Sequence, residues 1–311
     1  MDIDSNTANG ITHDAWSQAS LLAALAPVAF SNPHAAARTL LRWAGDTRIR
    51  PALTVLLPHL LAALAEAAAP DQVLVHLGRL AQNTADRPAL YHYLAQNPRA
   101  VEILVTLFAG SQFLTEILLR NPDYLRQLVA HNELTQPKSL DQFCADARAC
   151  FQDRSGTAAL DALKRHQRWE LLRIGACDLL DAFDLTTVTA QLSHLADSVV
   201  QACLVWAEGQ AKQSGEGFVV LAMGKLGGGE LNYSSDIDLI CLYDETRFDP
   251  DDYGEARASF VRSVRKMTAT LSERTADGYV FRTDLRLRPD ASVTPVAISM
   301  EAAERYYEAF G

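Results

Sequence analysis

Residues 217–244, GFVVLAMGKLGGGELNYSSDIDLICLYD, decide the fold of this chain, because they place two carboxylates in an apolar strand just after a glycine-rich turn. In a β-strand the side chains at positions i and i+2 project from the same face, so Asp236 and Asp238 project together. Adjacent carboxylates repel each other unless a positive charge lies between them, and Mg²⁺ is a hard cation that takes carboxylate and phosphate oxygens. The stretch therefore predicts a metal site that faces phosphate.

A second alternating segment, residues 279–289 (YVFRTDLRLRP), supplies a candidate third ligand. The alternation predicts a β-strand with Arg282, Asp284, Arg286 and Arg288 on one face. Arginine presents a fixed fork of donors that matches phosphate oxygens, so a carboxylate among three guanidinium groups suits a metal ligand beside an anion site. A third carboxylate would complete a two-metal site for displacement at phosphorus. The predicted catalytic residues, which are also the predicted metal ligands, are Asp236, Asp238 and Asp284.

The turn upstream of the carboxylate pair is rich in glycine, and residues 219–222 before it predict a strand. Glycine lets the backbone turn sharply, and exposed N–H groups in such a turn can cradle phosphate oxygens. The pattern fits neither the Walker A loop nor G-x-G-x-x-G. The residues predicted to bind nucleotide or phosphate are Gly224, Lys225, Gly227, Gly228, Ser234, Ser235, Arg286 and Arg288.

The order of these motifs resembles the nucleotidyltransferase superfamily of the DNA polymerase beta type. The run GKLGGGELNYSSDIDL, followed by DLRLRPD, VTPVAIS and YYE, resembles more narrowly the glutamine synthetase adenylyltransferase/adenylyl-removing enzyme family. Two upstream segments, WELLRIGACDLL and LSHLADSVVQACL, resemble the helical lead-in of that family, so the resemblance covers most of the chain. The chain departs from the family pattern at Gly229, where many members have a basic residue, and at Cys177, where many have arginine. Neither departure removes a carboxylate.

The resemblance implies Mg²⁺-dependent nucleotidyl transfer on glutamine synthetase, which controls nitrogen assimilation. Family members are long chains in which a proximal half removes AMP from a glutamine synthetase tyrosine by phosphorolysis, with phosphate consumed and ADP released. A distal half adds AMP from ATP. The single motif set of this chain follows a helical region and resembles the proximal half. The implied cofactors are two Mg²⁺ ions with ATP, ADP and inorganic phosphate, and the implied partners are glutamine synthetase and a PII-type nitrogen signal protein.

Two alternatives stay open from the sequence. The same core could add AMP to glutamine synthetase from ATP. The chain could also be a docking or regulatory fragment that binds glutamine synthetase or a PII-type protein without catalysis.

Composition sets the outer limits of these interpretations. The chain has 311 residues, 49% of them hydrophobic, and a formal net charge of -10. The acidic balance argues against a nucleic-acid surface, where a basic stripe is expected. Five cysteines without C-x-x-C spacing predict reduced thiols, and neither a signal peptide nor a membrane span is recognisable. We therefore expect a cytoplasmic protein that binds neither nucleic acid nor membrane.

The organisation changes once along the chain, from helical periodicity to mixed elements. We predict an α+β protein with a helical N-terminal region (1–154) packed on a small mixed-sheet nucleotidyltransferase core with leading helices (155–311), truncated at its C-terminal end. The charge run with Lys164, Arg165, His166 and Arg168 is interpreted as a solvated helix face and not as a surface for nucleic acid or an acidic partner.

Overall fold

The computed structural model describes residues 16–130, 135–211, 216–249, 251–274 and 278–310. The chain divides into two compact units. The first comprises residues 1–135 with 175–182, and the second comprises residues 136–174 with 183–311. The predicted domain boundary lies at residue 154, whereas the first segment of the first compact unit ends at residue 135. The domain boundary itself stays a prediction.

The first unit is built of short helices. They are α1 (Gln18–Leu25), α2 (Pro33–Ala44), α3 (Arg50–Ala65), α4 (Pro70–Asn83), α5 (Arg87–Gln96), α6 (Pro98–Gly110), α7 (Gln112–Arg120) and α8 (Tyr124–Ala130). Prolines at the first position of α2, α4 and α6 start these helices, because the missing proline N–H is one that a helix start leaves unpaired anyway. The apolar stripes form the core through residues such as Leu53, Leu104 and Leu118, which are buried.

The second unit combines helices with a small sheet. Its elements are α9 (Leu140–Ala149), most of α10 (Gly156–Leu179), α11 (Leu185–Ala211), β1 (Phe218–Met223), α12 (Gly224–Gly227), β2 (Ile237–Tyr243), α13 (Tyr253–Ser272), β3 (Thr283–Asp284), β4 (Ala297–Ser299) and α14 (Met300–Phe310). Strand β2 is central, because it pairs antiparallel with β1 and parallel with β3 and β4. The predicted α+β fold with a small mixed sheet is confirmed.

One face of the sheet packs on α13 through aromatic rings. The ring of Phe260 stacks on Phe218 from β1 at a centroid distance of 5.0 Å and on Tyr243 from β2 at 5.4 Å. These stacked rings hold β1 and β2 against α13 on one face of the sheet. The Asp238 side chain projects from the opposite face, which α13 does not cover.

A buried ionic cluster joins α10 to the segment before α9. Glu170, whose side chain is 1% exposed, accepts from Lys138 at 2.6 Å and from Arg173 at 2.7 Å. The Arg173 guanidinium also donates to Gln191 on α11. Buried charges persist when they are paired and hydrogen-bonded in this way.

The interpretation of the charge run on α10 as a solvated face is wrong for two of its residues. Lys164 is 2% exposed, and Arg168 donates to the Tyr279 carbonyl at 3.3 Å. Together with Gln167, which donates to the Val280 carbonyl at 2.9 Å, Arg168 fixes the backbone that enters β3. The physical reason is that carbonyls in this segment need donors, which the long polar side chains of α10 supply.

All five cysteines are free, and four of them are buried. Among the described residues, none of the helices has the length and apolar character needed to cross a bilayer.

Candidate active site

The two carboxylates of the decisive stretch lie at the start of β2. Asp236 is exposed and immediately precedes the strand, while Asp238 is its second residue and is half-buried. Since the side chains of residues two apart share a strand face, both carboxylates belong to the face opposite Phe260. This is the arrangement expected from the sequence.

Strand β3 brings the third carboxylate to the same place. In the parallel register of β2 and β3, Ile237 is the partner of Thr283 and Asp238 is the partner of Asp284. Neighbouring strands lie about 4.8 Å apart, so Asp238 and Asp284 stand side by side. The structure thus gathers Asp236, Asp238 and Asp284 at one end of the sheet.

The prediction that residues 279–289 form one strand is wrong, because β3 contains only Thr283 and Asp284. Beyond Asp284 the backbone turns away from the sheet, and the Arg288 guanidinium closes the loop that follows. Its donors lie 2.6 Å from the Leu285 carbonyl, 2.8 Å from that of Ala291, 3.1 Å from that of Thr294 and 3.0 Å from that of Pro295. After Asp284, the alternation of apolar and charged residues therefore belongs to a loop held by Arg288 and not to a strand.

Two arginines contact the carboxylates directly. Arg282 donates to Asp236 at 2.5 Å and, through a second nitrogen, to the Ser234 carbonyl at 2.9 Å. Arg286 donates to both carboxylate oxygens of Asp284. The side-chain hydrogen bond from Arg286, followed by its backbone N–H, lowers the pKa of Asp284.

All three carboxylates act electrostatically on Arg286. Its own pKa is raised chiefly by the hydrogen bond to Asp284, and the charges of Asp236 and Asp238 add to the effect. The guanidinium is 85% exposed, so solvent screens these interactions. The site is therefore a group of carboxylates with the exposed Arg286 guanidinium at its edge.

The described residues place no hydrogen-bond donor on the Asp238 carboxylate. Within those same parts of the chain, the His, Cys, Asp and Glu side chains form no group of three or more that could hold a metal ion as they stand. The reason is visible in the contacts, because Asp236 and Asp284 are turned towards Arg282 and Arg286.

The glycine turn is a single turn of helix, α12, that packs against Asp238. Gly224 has φ +56°, and a Cβ atom there would lie 2.7 Å from Asp238 Oδ2. A Cβ at Gly227 would lie 2.5 Å from the Ala222 carbonyl oxygen, whereas one at Gly228 would meet no atom closer than 3.7 Å. A side chain at Gly227 would require the backbone to move, and one at Gly224 would displace the Asp238 carboxylate and strain a left-handed backbone. Lys225 is exposed on this turn, and the Gly228 N–H is bonded to the Gly224 carbonyl.

Asn232 organises the serines that precede the carboxylate pair. Its Oδ1 accepts from the Ser234 N–H at 3.2 Å, from the Ser234 hydroxyl at 3.3 Å and from the Ser235 hydroxyl at 2.7 Å. Such a side chain closing on the backbone two residues later is an Asx turn. The serine hydroxyls are thus positioned beside Asp236.

Sequence reasoning did not assign roles to Asn232 and Arg282. The asparagine before two serines is a turn signal that could have revealed the first. Arg282 was placed on the carboxylate face of its segment, but its pairing with Asp236 depends on the register of β2 and β3, which the sequence does not display.

A protein-family model described as glutamate-ammonia ligase adenylyltransferase matches residues 101–311, which include every site residue described above. The chain belongs to this family. The family resemblance expected from the motifs is confirmed.

Individual members of the glutamate-ammonia ligase adenylyltransferase family are similar over most of the chain. Three relatives carry the name bifunctional glutamine synthetase adenylyltransferase/adenylyl-removing enzyme. The one from Xanthobacter autotrophicus is 34% identical over 279 residues, or 86% of this chain and 28% of the relative. Those from Rhizobium meliloti and Bradyrhizobium diazoefficiens are each 38% identical, over 70% and 75% of this chain and 24% of each relative. The chain thus spans about a quarter of the length of these relatives.

Proposed function

We propose that this chain carries out nucleotidyl transfer on glutamine synthetase, in the direction that removes AMP from an adenylylated tyrosine by phosphorolysis. The observation that carries the proposal is the grouping of Asp236, Asp238 and Asp284 on adjacent strands beside the Gly224 turn. The names of the relatives support the reaction class and the protein substrate.

The three carboxylates suit two Mg²⁺ ions by their chemistry, since this cation prefers carboxylate and phosphate oxygens. Gly224 leaves the space beside Asp238 Oδ2 that a Cβ atom would fill. Arg282 and Arg286 are 54% and 85% exposed, and exposed ion pairs are weak, so Asp236 and Asp284 can exchange these partners for an ion. When bound, Mg²⁺ would neutralise negative charge on the phosphoryl oxygens.

The remaining residues of the site are proposed to bind and orient the phosphate groups. Arg286, displaced from Asp284, would present its donor fork to the incoming phosphate, and Lys225 would add a point charge from α12. Ser234 and Ser235, fixed by Asn232, and the turn with Gly224, Gly227 and Gly228 would border the nucleotide. Arg288 has its donors on backbone carbonyls, so we assign it to holding the loop after β3.

In the proposed reaction an oxygen of inorganic phosphate forms a bond to the adenylyl phosphorus. The bond between that phosphorus and the tyrosine oxygen breaks, and the electron pair stays on this oxygen, which takes up a proton. The products are ADP and the unmodified tyrosine. The chain contributes mainly by positioning the reactants and by stabilising charge.

The direction of transfer rests on the resemblance to the proximal half of the family, in which a helical region is followed by the NYSSDIDL form of the strand. The ATP-dependent addition of AMP uses the same groups. We further propose that glutamine synthetase and a PII-type signal protein are the protein partners.

The test is to incubate the chain with adenylylated glutamine synthetase, Mg²⁺ and phosphate and to weigh the synthetase by mass spectrometry. Loss of the AMP mass with release of ADP supports the proposal. A gain of AMP mass on unmodified synthetase with ATP would instead establish adenylylation, and binding without any mass change would establish a docking role. Asp251→Asn, an exposed carboxylate outside the site, is the matched control for Asp238→Asn.

A further inference from the structure

Strand β1 forms one edge of the sheet, since within the described ranges it pairs with β2 alone. The direction of its backbone groups follows from one bond at its start. The Asp244 N–H donates to the Gly217 carbonyl at 2.7 Å, and these residues are opposite each other in the continued register. In an antiparallel pair the bonded positions alternate, so the N–H and C=O groups of Phe218, Val220 and Ala222 point away from β2.

Those three residues line a cleft of about 400 Å³ within the second unit. Its opposite wall is formed by α9 and α11 and is largely apolar, with Leu140, Val200 and Leu204. The cleft therefore has a row of outward-facing backbone donors and acceptors on one side and room for apolar side chains on the other. An open strand edge of this kind accepts a further strand.

One charged group in the cleft has no hydrogen-bond partner in the described parts of the chain. The Asp197 carboxylate on α11 lines the cleft, and the described residues give it no hydrogen bond. Burial raises its pKa, and the charge of His194 opposes the shift. A half-buried carboxylate without a partner is stabilised by a cation or donor that arrives with a ligand.

The neighbouring polar groups do not fill this role. The Cys144 thiol donates to Gln201 Oε1 at 3.2 Å and makes no bond to Asp197. Val219 and Leu221 of β1 are 40% and 41% exposed, which extends the apolar surface around the strand edge. Apolar surface next to unpaired backbone groups marks an interaction site.

We propose that the edge of β1 binds an extended peptide segment of another protein by strand addition, with alternate apolar side chains in the cleft and a lysine or arginine against Asp197. The outward N–H and C=O groups of Phe218 and Val220 and the outward N–H of Ala222 are open, whereas the Ala222 carbonyl abuts Gly227 of α12. This length of edge matches a segment of about five residues. The net charge of -10 favours the approach of a basic partner.

The probe is a fluorescent, N-acetylated and C-amidated hexapeptide of alternating valine and threonine with one lysine, and binding to the full chain is measured by anisotropy. The proposal predicts saturable binding, which a proline in place of the central valine abolishes, because proline lacks a backbone donor. Replacement of the lysine by glutamine weakens binding to the wild type and has little effect on the Asp197→Asn variant.

The matched variants are Leu204→Glu, inside the cleft, and Val205→Glu, on the exposed side of the same helix. We expect Leu204→Glu to weaken binding by about tenfold or more and Val205→Glu to leave it nearly unchanged. Equal effects of the two variants, or equal binding of the proline peptide, would overturn the proposal.

A second copy of this chain is the competing occupant of the edge. Val220→Pro removes an outward N–H and leaves the bonds to β2 in place. Sedimentation should show a monomer for both the wild type and this variant, while peptide binding is lost in the variant. A wild-type dimer that Val220→Pro dissociates would contradict the peptide assignment and give the edge to self-association.

Discussion

Asp238 and Asp284 are register partners in the parallel pairing of β2 and β3. This relationship places carboxylates that are far apart in the sequence on neighbouring strands, next to Asp236 and the Gly224 turn. The Gly224 backbone approaches so closely that any larger residue would contact the Asp238 carboxylate.

Gly224→Ala should damage the site and the fold together. The residue has φ +56°, and the new Cβ atom would lie 2.7 Å from Asp238 Oδ2. We expect a loss of stability of about 1 kcal/mol or more in urea denaturation, with strongly reduced turnover. Gly228→Ala is the control for stability, because Gly228 has φ -83° and the nearest atom to its Cβ is 3.7 Å away. Equal behaviour of the two variants would contradict the proposed close packing of the turn.

Arg173→Met should destabilise the second unit, because it removes one of two cationic partners of the buried Glu170. Breaking a buried pair in this way costs about 3–5 kcal/mol, and the lower value applies here since Lys138 remains. The measurement is the denaturation midpoint by circular dichroism. Arg262→Met is the control, because its pair with Glu255 is exposed on both sides. A shift of the same size in the control would refute the role of the cluster.

Tyr91→Phe should alter the dependence of stability on alkaline pH. Burial raises the pKa of Tyr91 to about 12 from the ordinary value of 10.0. A raised pKa stabilises the fold below the unfolded value, and this contribution disappears as the pH rises through the folded value, at about 1.4 kcal/mol per unit. The variant should therefore lose less stability than the wild type between pH 10 and pH 12.

The same substitution should be nearly neutral at pH 7. The Tyr91 hydroxyl makes no hydrogen bond of good geometry with the described residues, and the Arg87 side chain nearby lowers its pKa only as a lesser effect than burial, so its removal costs at most one weak contact. Tyr307→Phe, at an exposed position, should keep the alkaline limb of the wild type. Unfolding experiments at several pH values provide the measurement, and an unchanged limb in Tyr91→Phe would contradict the assignment.

Arg288→Met should affect the stability of the fold, whereas Arg286→Met should affect phosphate binding. Arg288 donates to four backbone carbonyls, so its loss should lower stability by about 2 kcal/mol and increase proteolysis of the loop after β3. Arg286 is exposed, so its replacement should leave stability unchanged and raise the KM for phosphate. The reverse pattern would restore Arg288 as the phosphate-binding residue.

The positions of the three carboxylates could be predicted because they follow from two simple periodicities. Alternation along β2 puts Asp236 and Asp238 on one face, and an apolar strand later in the chain had to join the same small sheet. The start and end of β1 were also close to the expected residues 219–222, since an apolar run that ends at a glycine marks them. The Ser299 hydroxyl accepts from the Ala302 N–H, which is the usual role of a serine just before the first turn of a helix.

The remaining features depend on contacts that the sequence does not encode locally. The alternating pattern after Asp284 is the same whether it forms a strand or a loop, and the Arg288 contacts with distant carbonyls decide for the loop. The burial of Lys164 likewise depends on what packs against α10. The pairing of Arg282 with Asp236 depends on strand register.

Whether Asp236, Asp238 and Asp284 form a metal site is tested by Mn²⁺ binding to the full chain, measured by electron paramagnetic resonance in the absence of protein substrate. We predict that the wild type and Asp251→Asn bind Mn²⁺ and that Asp236→Asn, Asp238→Asn and Asp284→Asn each bind it at least about tenfold more weakly, with circular dichroism spectra unchanged. Equal Mn²⁺ binding by all five proteins would show that the three carboxylates are not the metal site and would contradict the account.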